Sequence, residues 1–100
     1  MKPRIELQKK LSELVANVYF QPPSTVKMKY PAIVYGLEKA HTKYADNKIY
    51  IGHFCYTVTF VSIKYDENKI LEILDSFEMI SLNRTFVSDN LYHTVFNLYY

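Results

Sequence analysis

Only two glycines and one cysteine occur in this 100-residue sequence, and tryptophan is absent. Each shortage excludes something. A phosphate cradle needs several glycines within a few residues, and Gly36 and Gly52 stand far apart. Cys55, in Phe54-Cys55-Tyr56-Thr57-Val58, has no second thiol for an internal disulfide, so it neither needs nor proves an oxidising compartment. It reads as a buried, inert thiol. No stretch approaches the roughly 18 apolar residues of a membrane helix. No charged-then-apolar leader opens the chain, so the expectation is a soluble protein made in the cytoplasm. Low-complexity tracts and long linkers are missing too, which makes residues 1–100 one domain.

What is present is a folding composition, 49% hydrophobic and 22% charged. Ten tyrosines and six phenylalanines supply the aromatic content. Tyrosine joins a large apolar body to a polar tip, which suits half-buried sheet faces and protein–protein contacts, although strands also use it as filler. Net charge is only +2, weak support for a nucleic-acid partner. Its distribution is uneven. Residues 1–50 hold nine Lys/Arg against four Asp/Glu, and residues 51–100 hold three against six. Such asymmetry can give a self-assembling subunit one basic and one acidic surface, and scattered surface charge produces it as well.

Leu7, Leu11, Leu14, Val15 and Val18 form one stripe at helical spacing, opposite Lys9, Lys10, Glu13 and Asn17. Pro3 suits the first turn, and Pro22-Pro23 forbids continuation, so a helix is expected over about 3–19. Tyr30-Pro31-Ala32-Ile33-Val34-Tyr35 is β-branched and aromatic, hence a strand. Gly36 to Asn47 is polar and reads as a projecting arm that turns near Asp46-Asn47. From Lys48 to Lys64 the alternation of Tyr56, Val58 and Phe60 with Thr57, Thr59 and Val61 predicts a long strand. Asp66 is a plausible helix N-cap, and Ile70, Leu71, Leu74 and Phe77 form a second stripe, giving a helix over about 66–77. Met79 to Phe86 and Leu91 to Tyr100 are two more strands, separated by Ser88-Asp89-Asn90. Tyr92, Thr94, Phe96, Leu98 and Tyr100 share one face of the last.

The expected architecture is α+β: an antiparallel β-sheet of about four strands with two α-helices packed on one face. Apolar residues on both sheet faces exceed what one covered face requires, which leaves an aromatic-rich surface for a partner.

Constellations for catalysis are thin. His41, His53 and His93 share no ligand spacing with one another or with Cys55, so a zinc site has little support. Asp66, Glu67, Glu72 and Asp75 lie at helical spacing and read as the solvated face of the second helix rather than an acid–base pair. Asp-Asn recurs before two strands, at Asp46-Asn47 and Asp89-Asn90; this is turn chemistry, and the further oxygens of a Ca²⁺ loop are missing. Lys27, Lys29, Lys39, Lys43 and Lys48 interleave with Tyr30, Tyr35, Tyr44 and Tyr50. That pattern leaves a small nucleic-acid-binding module as a distant alternative.

Tyr30-Pro31-Ala32-Ile33-Val34-Tyr35, Tyr44-Ala45-Asp46-Asn47-Lys48-Ile49-Tyr50 and Tyr56-Thr57-Val58-Thr59 together resemble a family of small proteins of phages and prophages. So does the ending Ser88-Asp89-Asn90-Leu91-Tyr92-His93-Thr94-Val95-Phe96-Asn97-Leu98-Tyr99-Tyr100. The family comprises minor structural proteins from the neck of long-tailed phages, of tail terminator or tail completion type. The resemblance spans roughly residues 19–100. It implies an α+β subunit with no enzymatic activity and no cofactor. Such a subunit would form a hexameric ring that caps the tail tube and joins it to the head. Its implied partners are further copies of itself, the tail tube protein and head connector proteins, with DNA passing through the ring lumen. Its implied location is the virion, after assembly in the bacterial host cytoplasm. A head–tail connector adaptor or stopper from the same neck is the nearest alternative. A ring needs two different complementary patches on each subunit. The polar arm, through Lys39, His41, Lys43, Tyr44, Asp46 and Asn47, is the candidate subunit contact.

Overall fold

A computed structural model describes residues 3–22, 26–37 and 54–100. Two helices and five strands run in the order α1 (Arg4–Leu14), β1 (Asn17–Phe20), β2 (Ala32–Leu37), β3 (Cys55–Ser62), α2 (Glu67–Asp75), β4 (Ile80–Ser88) and β5 (Leu91–Tyr99). The strands form one sheet in the order β1-β2-β3-β5-β4. This is an α+β fold, and its sheet corrects two expectations. Five strands are present instead of about four, and β1 runs parallel to β2, so the sheet is mixed and not wholly antiparallel.

The extra strand comes from the end of the first apolar stripe. Helix α1 stops at Leu14, well short of residue 19, and Val15 is already extended at φ −139°, ψ 133°. Val18 falls on the helical stripe by coincidence of spacing. Val18-Tyr19-Phe20 is also β-branched and aromatic, and the ladder along β2 offers each residue a partner, Val18 to Ile33 and Phe20 to Tyr35. Tertiary pairing wins over a helical continuation held by local bonds alone. The connection back to β2 is tied to β1 by side chains. Asn17 Nδ2 donates to the Pro31 carbonyl at 3.0 Å, and the Lys29 backbone N–H donates to the Tyr19 hydroxyl at 3.2 Å. The Tyr30-Pro31 peptide bond is cis.

Helix α2 begins where its cap was expected. The Asp66 carboxylate accepts from the Lys69 backbone N–H at 3.0 Å, and the helix ends at Asp75, two residues before Phe77. Strands β4 and β5 join through Asp89 and Asn90, whose φ angles of 54° and 62° give the two left-handed residues that a tight hairpin matching the sheet twist needs.

One core unites the elements. Leu7 and Leu11 of α1 and Ile70 and Ile73 of α2 pack with Ile33, Tyr35, Tyr56, Val58, Phe60, Phe96 and Leu98. Those sheet residues are mutual cross-strand partners or near neighbours, as in Tyr35↔Val58↔Phe96, so they share one face. The faces read in β3 and β5 are the faces observed, but Val61 and Val95 on the opposite face are buried as well and Tyr92 is exposed. Gly36 has its own reason. A Cβ there would lie 2.8 Å from Gln21 Cγ, and the Gln21 side chain uses that space to accept from the Leu37 N–H at 3.0 Å.

Candidate interaction surface

The groups able to carry chemistry are dispersed. His93 is half-buried on β5, stacks on Phe86 with ring centroids 4.7 Å apart and planes within 5°, and places Nδ1 3.1 Å from the Leu91 carbonyl. Asp66 is occupied as a cap. Glu72 pairs with Lys69 at 2.7 Å, and Glu67 accepts from the Tyr65 hydroxyl at 3.2 Å. Each carboxylate answers to its own neighbour, which is helix-surface behaviour. Cys55 is half-buried. Among the described residues no group of three or more His, Cys, Asp or Glu could hold a metal ion. His41, His53 and the whole candidate arm, with Lys39, Lys43, Tyr44, Asp46 and Asn47, lie outside the described residues.

Polar groups instead fasten α1 to the sheet. The buried Tyr35 hydroxyl donates to Gln8 Oε1 and accepts from an Arg4 guanidinium nitrogen at 3.1 Å. The same guanidinium lies over the Phe20 ring, 4.3 Å from its centroid, where the cation meets the negative face of the π system. Burial raises the pKa of the neighbouring Tyr56 phenol above its usual value; Tyr35 adds to the rise and Arg4 opposes it. At the other end of α1, Lys10 sits over the Phe77 and Tyr100 rings, 5.7 and 5.4 Å from their centroids. Beside it a shallow cavity of about 220 Å³ is lined by Ser76, Phe77, Glu78 and Met79.

The sheet ends in two dissimilar edges. β1 is short and half-buried. β4 runs nine residues, pairs only with β5 among the described residues, and has eight of those nine exposed. Exposed edges of this length are usually protected by charge, proline, a bulge or brevity. β4 has one arginine and one bulge between Leu82 and Arg84, beside exposed Leu82, Phe86 and Val87. The bulge moves Arg84 and Phe86 off the helix-covered face, so Phe86 reaches His93 and Val87 lies beside Tyr92. Tyr92 in turn packs on the exposed Tyr65, with ring centroids 6.1 Å apart.

The helices stand over opposite ends of the sheet. α1 lies against β1 and α2 against β4. Lys69 donates to the Leu14 carbonyl at 2.8 Å, so that side of α2 faces α1. Glu67, Leu71 and Asp75, at i, i+4 and i+8, fall on the opposite side, above β4. On α1, Lys10 lies toward α2 together with Glu6, Arg4 reaches over Phe20 of β1, and Lys9 points away from the sheet beside Glu13. Lys27 and Lys29 are exposed on the connection whose backbone is hydrogen-bonded to Tyr19 of β1. Sequence reading found the charge asymmetry but missed the apolar β4 edge. Its signal was available: between Ile80 and Ser88 apolar residues occupy both alternations, as in Phe86-Val87.

No family model matches the chain, and no curated protein or solved structure matches it.

Proposed function

We propose that this protein is a virion structural subunit of the phage neck, of tail terminator type. In that role it self-associates into a hexameric ring that caps the tail tube and meets the head connector proteins. Its work is done by surfaces, without catalysis or a cofactor. The observation that carries the assembly part of the reading is the β4 edge, a nine-residue strand that pairs only with β5 among the described residues and exposes Leu82 and Val87 on one face and Phe86 on the other. The neck assignment itself is supported by the sequence resemblance over residues 19–100.

The test is complementation of a phage that lacks the gene, with particle morphology read by electron microscopy. Loss of the protein should leave heads separated from tails, with tails of uncontrolled length, and the wild-type gene should restore joined particles of uniform tail length. Normal particles without the protein would overturn the assignment. Free heads together with tails of normal length would favour the connector adaptor or stopper role over the terminator role.

A further inference from the structure

We infer that the outer edge of β4 accepts a short extended segment of a partner protein, one in which apolar residues alternate with an acidic residue that faces Arg84. The inference rests on the reading that β4 is an assembly edge, and it names the chemistry of the partner that edge takes. Three observations carry it.

First, the ladder fixes which backbone groups are open. The Tyr99 N–H donates to the Met79 carbonyl at 2.9 Å, so the odd-numbered residues of β5 bond toward β4. Beyond the bulge their partners are Arg84, Phe86 and Ser88. The N–H and C=O groups of Thr85 and Val87 therefore point outward, at the two-residue spacing that an added strand pairs with. Leu82 also points outward, but the bulge sets it three residues before Thr85. A straight guest strand can thus match the stretch 84–88 and not the whole of β4.

Second, Arg84 is the only Lys, Arg, Asp or Glu in all five strands. Its guanidinium is held over the Phe86 ring, 5.2 Å from the centroid, and among the described residues no carboxylate pairs with it. A planar cation ordered in this way matches a carboxylate with two parallel hydrogen bonds. Neighbours across two strands on one face interact directly, so a guest residue beside Arg84 is favoured as Asp or Glu and disfavoured as Lys or Arg. Residues on the guest's other face meet exposed Val87 and, above β4, exposed Leu71, which favour apolar side chains.

Third, the same count rules out a described strand of a second copy as the guest. None of the five strands holds a carboxylate, so none can set one against Arg84. The segment belongs to a different protein. Arg84 then has two effects at the edge: its charge deters sheets of this chain from pairing edge to edge, and it admits an acidic segment.

The experiment titrates the isotope-labelled full chain with the peptide Val-Thr-Val-Glu-Val-Thr-Val, and with the same peptide carrying lysine for glutamate, and follows backbone amides by NMR. The glutamate peptide should shift the Thr85 and Val87 amides and slow their hydrogen exchange, and it should bind about tenfold tighter than the lysine peptide. Arg84→Glu should reverse that preference. Val87→Pro should abolish binding while circular dichroism and the urea midpoint show a folded chain, since it removes an outward N–H and no ladder bond. If Val87→Pro does not fold, the reversal by Arg84→Glu still decides. No shift in β4 at millimolar peptide, or equal binding of the two peptides, overturns the inference. Thr85 and Val87 amides that become protected in the chain alone as its concentration rises would overturn it too, because a second copy then fills the edge. Peptide binding as expected, with normal phage particles formed in the absence of the gene, would uphold the β4 site and overturn only the neck assignment.

Discussion

The tetrapeptide Thr-Phe-Val-Ser occurs twice, at Thr59–Ser62 in β3 and at Thr85–Ser88 in β4, and its two copies meet opposite fates. In β3, Phe60 is 1% exposed and Val61 3%; in β4, Phe86 is 40% exposed and Val87 60%. Both strands flank β5 in the same sheet, so neither composition nor strand propensity separates them. Place in the sheet does. β3 has a strand on each side, with Phe60 under the helices, whereas β4 stands at the edge. The bulge between Leu82 and Arg84 then reverses which face each later residue of β4 occupies. Local sequence therefore sets strand character, and neighbours set burial.

The sharpest way to break this contrast is truncation of the buried ring. Phe60→Ala should lower unfolding free energy by about 3–5 kcal/mol in urea titration, since it opens a cavity in the single core. A cost under about 1 kcal/mol would show that β3 is not the centre of that core.

Removing the bulge tests the second half of the argument. Deletion of Asn83 takes out the extra residue and keeps the pairs on both sides of it, Leu82 with Phe96 and Arg84 with Val95, so Phe86 should stay opposite His93. The ring-current shift of the His93 protons should persist in NMR spectra, with a stability change of at most about 1–2 kcal/mol. Loss of that shift would mean that the bulge itself, and not the register beyond it, holds Phe86 on His93.

High pH probes the aromatic core directly. Burial raises the pKa of Tyr56 and of Tyr100 above the unfolded value near 10, and the nearby Glu6 carboxylate raises Tyr100 further. Above pH 10 the unfolded chain releases these protons before the folded one does. The stability contributed by the protonated phenols is therefore complete below pH 10 and is lost as pH rises through the folded values. A urea-midpoint profile should fall in that range, and Tyr56→Phe should make the fall shallower. An equally steep fall in Tyr56→Phe would remove Tyr56 from the account.

The smallest effect is expected at the edge. Phe86→Ala should cost less than about 1 kcal/mol in urea titration, because the ring is half in water and its contacts are surface ones, the stack with His93 and the Arg84 guanidinium over its face. A loss as large as that of Phe60→Ala would mean that position in the sheet does not control the energetics.

Local rules were enough for much of this molecule. The cap at Asp66, the stripe through Ile70, the alternation of Tyr56, Val58 and Phe60, and the turn at Asp89-Asn90 depend on residues within one helical turn or one hairpin. Sequence displays such residues side by side. Charge asymmetry between the halves of the chain was legible for the same reason, since it only requires counting. Three features were decided by residues distant in sequence. Val18-Tyr19-Phe20 became a strand because β2 lay alongside to accept it. β4 became the edge because β5 inserted between it and β3, an order that no local pattern encodes. The helices stand over the two ends of one sheet because α1 settled against β1 and α2 against β4. Outside residues 15–20, the sequence determined which segments are helical or extended and what charge each carries, because those depend on nearest neighbours. The tertiary structure decided which strand stayed open and which charges face outward, because both depend on what packs beside each element.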